Sequence, residues 1–264
     1  MANNKVEIEN NLTLIRSLIT KHKRHDHIFA GVGMFIIISL TITLLVLFLD
    51  LVFDGYPRFN LDFLTNFPSR RAMAAGILSA WVGSSLVLIV TFFAAVPLGI
   101  AAGVYLEEYA KKNWFSDLIE INVTNLAGVP SIIYGLLALG LFVYGFGLGQ
   151  TILTAGLTLA LLMLPIVIVA TREAIRAIPI HIREAAYAVG ATKWQVSLHH
   201  VIQYSYGGIL TGVIIGMARA IGETAPVITI GALTFIAFLP PSPVGLEPPF
   251  INFEWLEAGF TVLP

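Results

Sequence analysis

There is no cysteine in the 264 residues, and charge is scarce: Asp, Glu, Lys and Arg together make up 12% of the chain. The first absence excludes disulfides, thiolate metal sites and cysteine nucleophiles. The second excludes a soluble domain, in which about a quarter of residues carry charge. No GxxxxGKS/T phosphate loop, HExxH or GxSxG occurs, so catalysis by this chain is not expected. Lys and Arg are missing altogether from Pro240 to Pro264. What is there is apolar: 57% hydrophobic residues and a mean hydropathy of +0.84. This composition predicts an all-α membrane protein, a single polytopic transmembrane helix bundle.

Five spans are expected, at about 28–53, 84–106, 126–143, 151–171 and 207–239. The first exceeds a signal-peptide core and lacks a cleavage site, so it is retained as a helix. Ahead of it, in residues 1–27, Ile8, Leu12, Ile15 and Ile19 recur at helical spacing before Lys21, Lys23 and Arg24. That pattern fits a short amphipathic helix on the membrane surface, touching lipid, and equally a disordered basic tail. His22, His25 and His27, set among lysines, read as solvated rather than as metal ligands. The second span carries Pro97 and a close-packing face from Gly99 to Gly103. The third is approached through Gly128-Val-Pro-Ser-Ile-Ile-Tyr-Gly135, a kink that membranes tolerate where neighbours satisfy the freed backbone.

Orientation follows from Lys and Arg. Lys5, Arg16, Lys21, Lys23, Arg24, Lys111, Lys112, Arg172, Arg176, Arg183 and Lys193 collect on one side, and Arg58, Arg70 and Arg71 on the other. The N-terminus and the hydrophilic segment 172–206 are therefore expected to be cytoplasmic, and the tail 240–264 external.

Two stretches carry chemistry. In Gly208 to Pro226 the positions Gly208, Gly212, Gly216, Arg219, Glu223 and Pro226 fall on one side of a helix at about 100° per residue. Small residues let another helix approach, and a charge at membrane depth faces a bundle interior or polar cavity. One reading is a lined passage for an oxyanion, since Arg presents a planar fork of donors. The other is an i,i+4 ion pair that locks two helices. In the second stretch, Pro179 ends the preceding helix and Ile182 to Val189 forms the next one. Gly190 suits the left-handed residue that closes it, and Thr192-Lys193-Trp194-Gln195 has the form of a capping box. The product is a helix–glycine–helix hairpin with small residues at Ala185, Ala186 and Ala188 and rim charges at Arg183 and Glu184. It can receive a partner's surface or float on lipid headgroups.

Glu184-Ala185-Ala186 followed by Gly190 resembles the EAA loop of ABC importer permeases. Gln203 and Gly207 stand where the sugar and amino-acid branches carry prolines. Tyr105-Leu-Glu-Glu-Tyr-Ala110, Gly128 to Gly135 and Ala218-Arg-Ala-Ile-Gly-Glu-Thr-Ala-Pro226 resemble, in the same order, the PstA-type permease of the phosphate ABC importer. The likeness runs from about residue 80 to 240. It implies the type I importer permease fold in the prokaryotic plasma (inner) membrane, serving phosphate transport. The implied partners are a PstC-like second permease subunit, a PstB-like ATPase dimer and a PstS-like external phosphate-binding protein, with no nucleic acid. ATP and Mg²⁺ would sit in the ATPase, leaving no cofactor or metal in this chain. Glu184, Ala185, Ala186 and Gly190 would couple to the ATPase, and Arg219, Glu223, Gly216 and Pro226 would line the substrate pathway. The family has six spans, so Phe260 to Pro264 is expected where an outer loop leads into the sixth, through truncation or natural absence of that helix. The competing functions are a permease for molybdate or sulfate, and an ion-coupled carrier working without an ATPase.

Overall fold

The computed structural model describes residues 2–71, 74–111, 113–231, 238–244 and 251–259, with side chains for Lys23 and from Asp26 onward. It divides into two units, Met1–Leu61 and Asp62–Pro264.

The first unit is dominated by one helix, α1 (Ala2–Gly55). It runs without interruption through the junction expected near residue 27, so the segment 1–27 is not a separate helix. No Gly or Pro stands between Ala2 and Ala30, and nothing else in the sequence forces a break. The proposed amphipathic face, with His22 and His25, lies outside the residues whose side chains are described; His27 is exposed. From Ile28 the helix is apolar all round, with Phe29, Phe35, Leu44 and Leu51 exposed, the surface that a helix presents to lipid.

The second unit contains α2 (Leu78–Tyr109), α3 (Trp114–Leu126), α4 (Ser131–Gly145), α5 (Ile152–Arg176), α6 (Ile180–Ala188), α7 (Lys193–Gly222) and α8 (Ala225–Thr229). With α1, the helices α2, α5 and α7 are long and apolar enough to cross a membrane, and α3 with α4 makes a fifth crossing if counted as one bent span. The bend is 105°. Pro130 supplies no N–H and sits in extended backbone at the start of α4, which ends α3 four residues earlier. The Leu126 carbonyl accepts from the Val129 N–H at 3.1 Å and from the Tyr134 hydroxyl at 2.8 Å, which ties the start of α4 back to the end of α3.

Helix α5 is the spine. Gly99 and Gly103 of α2 lie against Val167 and Thr171, and Gly156 of α5 lies against Val90 of α2. On the α7 side, Gly208, Gly212 and Gly216 meet Ala174, Ala170 and Met163. A Cβ at Gly212 would overlap the Cβ of Ala170, and one at Gly103 would stand 2.7 Å from the Thr171 Cβ. Among lipid tails no hydrophobic drive pulls helices together, so close backbone contact through small residues supplies the attraction. Met163 and Val167 are buried at this seam, and Thr91 of α2 ties it by donating to the Gly156 carbonyl at 3.1 Å.

A further expectation changes. The fifth span does not continue as one helix to 239: α7 stops at Gly222, Glu223 is extended (φ −89°, ψ 115°), and α8 is short. Pro226 is the cause, because its ring displaces the Gly222 carbonyl four residues back and its nitrogen has no proton to donate. Part of the tail packs on the bundle. Trp255 is buried with Leu86, Val90 and Ile152, and the Ile152 N–H donates to the Ala258 carbonyl at 3.2 Å. Residues 260–264, where the sixth span was expected to follow, lie outside the described residues.

Candidate functional site

The break after α7 gathers most of the pathway residues read from the sequence, in three different environments. Gly216 is buried and faces Met163 of α5. It is a packing contact and leaves no opening at that level. Pro226 is also buried, against Gly135 of α4, where a side chain would overlap Thr229 and crowd Pro226. The two glycine-and-proline stretches 128–135 and 222–226 are thus fitted to each other: the missing side chain at 135 admits the turn that Pro226 creates.

Arg219 and Glu223 remain open. Their Nε and Oε1 atoms are 3.5 Å apart, with 44% of the Arg219 side chain and 20% of the Glu223 side chain exposed. Among the described residues Arg219 makes this one ion pair, and no hydrogen bond occupies its Nη groups. Glu223 and Thr224 border a cavity of about 670 Å³ between α2, α5 and the break. Ser79 and Ser84 line it beside Val87, Leu159 and Ile228. Arg219 is not part of that lining. An exposed guanidinium at the end of an apolar span, with donors to spare and a carboxylate beside it, can hold a transient oxyanion.

The hairpin residues form a second group at the other end of α5 and α7. Gly190 has φ +87°, the left-handed conformation that costs glycine nothing. Thr192 and Gln195 cap one another: the Gln195 N–H donates to Thr192 Oγ1 and the Thr192 N–H to Gln195 Oε1. Glu184, Ala185 and Ala188 are exposed, as are Val189 and Trp194. Ala186 is not on that outer face. It is buried against Ile175, Ile178, Val196 and Val201, because at helical spacing it lies opposite Ala188. Arg183, expected on the rim, also turns inward.

The identity follows from the stretch that holds both groups. Residues 95–243, more than half the chain, match the family described as binding-protein-dependent transport system inner membrane component. The chain belongs to that family. It is 31% identical over 231 residues to the phosphate transport system permease protein PstA of Yersinia pestis, which covers 84% of this chain and 77% of that one. It is 30% identical over 244 residues to the PstA of Haemophilus influenzae (90% and 84%). The PstA of Mycobacterium leprae shares 40% over 157 residues, which is 60% of this chain and 51% of that protein. A polytopic inner-membrane permease with the type I importer fold accounts for the apolar helices, and this subunit is not the catalytic one.

What sequence reasoning missed in this permease is an ionic lattice at the hairpin end. Arg172, 7% exposed, reaches Glu120 at 2.7 Å and Glu107 at 3.5 Å. Arg176 contacts the same two carboxylates, Glu107 at 3.0 Å and Glu120 at 3.2 Å. Arg183 Nε and Nη2 donate to Glu108 Oε1 at 3.1 and 2.9 Å. A cation buried as Arg172 is must be paired. Glu120, in the middle of α3, is thus shared by two guanidiniums. The available signal was Glu107-Glu108 closing one apolar run while Arg172 and Arg176, one turn apart, close another.

Proposed function

We propose that this chain is the PstA-type permease subunit of an ATP-driven inorganic phosphate importer and forms half of its translocation pathway. The observation that carries this is the break at Glu223, which leaves Arg219 exposed with unused Nη donors beside a carboxylate. The relatives' names supply the anion: those of Y. pestis, H. influenzae and M. leprae are phosphate transport permeases. A PstC-like permease supplies the other half, and a PstS-like protein delivers phosphate from outside. A PstB-like ATPase dimer, holding ATP and Mg²⁺, docks on the hairpin around Glu184, Ala185 and Gly190. The Lys and Arg distribution supports a cytoplasmic N-terminus and hairpin.

Transport follows alternating access. ATP binding closes the ATPases, the hairpin passes that motion to the bundle, and phosphate moves past Arg219. Glu223 holds the guanidinium in its rotamer between transits, or accepts a proton-bearing phosphate oxygen's hydrogen bond. Phosphate keeps such a proton at neutral pH and sulfate does not, so the carboxylate favours phosphate.

Uptake of labelled phosphate tests this in membranes lacking the chain and in membranes where it is restored, with sulfate and molybdate as competitors. Uptake should require the chain and resist both competitors. Assembled Arg219→Lys and Glu223→Gln permeases should each lose most uptake; wild-type rates in both would reduce the pair to scaffold.

A further inference from the structure

The hairpin's attachment to the bundle is unusually specific. Arg183 lies in α6, one residue before the exposed Glu184. Its side chain makes four hydrogen bonds, all away from the outer face: two to Glu108 Oε1, one from Nη1 to the Ile178 carbonyl at 3.2 Å, and one from Nη2 to the Ile175 carbonyl at 3.1 Å. Glu108 is 7% exposed and Arg183 20%. Glu108 belongs to the wide last turn of α2, Tyr105–Tyr109, and Ile175 and Ile178 belong to the end of α5 and the loop after it. One guanidinium therefore joins the hairpin, α2 and α5. Beside it, Lys193 at the start of α7 lies 4.9 Å from the Tyr109 ring centroid, a second tie between the hairpin and the same turn of α2.

We infer that Arg183 and Glu108 are positioning residues for coupling: they clamp the hairpin to α2 and α5 so that the three move as one body when the ATPase pulls. This rests on the proposed function for its consequence, though not for its geometry. Two exposed charges could slide past each other, being worth little and held loosely. A shielded guanidinium making four hydrogen bonds to three acceptors cannot turn without stranding carbonyls and a carboxylate. Lysine keeps the charge but has no planar fork to span three acceptor groups.

The chain's lack of cysteine makes the test direct. Spin labels at His181→Cys on the hairpin and Ala101→Cys on α2, both exposed positions, are measured by electron–electron double resonance in the full transporter, with and without ATP. The wild-type background should give one narrow distance that ATP does not shift. A distance that changes with ATP would overturn the clamp even if every Arg183 variant failed to assemble. In the Arg183→Lys and Arg183→Met complexes the distribution should broaden. Phosphate moved per ATP hydrolysed should fall about tenfold, the scale set by losing a charge-assisted hydrogen bond, with hydrolysis retained. Narrow distributions and a wild-type ratio in both would also overturn it. If the intact transporter moves no phosphate, the functional proposal fails, while the distance measurement still decides the clamp.

Discussion

Arg219 and Glu223 sit four residues apart, Arg219 in the last turn of α7 and Glu223 just past its end in extended backbone. The pair therefore spans the helix end and does not lie along an uninterrupted helix face, and its geometry depends on Pro226. Replacing Pro226 with Ala restores the N–H that α7 would need to continue. The expected outcome is a longer α7, a displaced Glu223 and impaired uptake in an assembled complex, checked by cysteine accessibility at positions 223 and 224. Gly135 belongs to the same contact from the other side. Gly135→Ala should destabilise the permease by about 1–3 kcal/mol, the usual cost of overpacking, read as a lowered Tm in detergent. The residue types in this region were legible in the sequence: a guanidinium and a carboxylate at membrane depth are conspicuous. Their surroundings were not, because a helical wheel assumes a helix, and the proline that ends it lies beyond both charges.

Among elements, the hairpin was read most fully. Gly190 and the Thr192–Gln195 box are local devices, set by neighbours along the chain, and sequence carries them whole. Thr192→Ala removes a cap and should cost about 1 kcal/mol; Gly190→Ala forces an L-residue into the left-handed region at about 1–2 kcal/mol. Both should speed local proteolysis of the hairpin while leaving the membrane bundle intact, which limited digestion followed by mass spectrometry will read. The inward turn of Arg183 and the burial of Ala186 could not be read this way. They depend on Glu108, 75 residues away in sequence, and on which face α5 offers.

For the whole molecule, the four-residue lattice of Glu107, Glu120, Arg172 and Arg176 joins α2, α3 and α5 outside the apolar run of the spans. Glu120→Gln takes the nearest carboxylate from Arg172, whose side chain is only 7% exposed, and should lower the Tm in detergent, because a buried cation is left short of a partner. The all-α membrane character was visible in composition; the long-range ionic ties were not, since no local pattern matches a carboxylate to its partner.

The seam along α5 has a consequence for how such a protein changes over time. Gly208 and Gly212 have no room for a methyl because Ala174 and Ala170 already occupy it. A mutation enlarging either side can persist only if its opposite number shrinks. Substitutions here should therefore appear as reciprocal swaps: the damage done by Gly212→Ala should be undone by Ala170→Gly, and a suppressor screen should return that partner more often than changes elsewhere in the bundle.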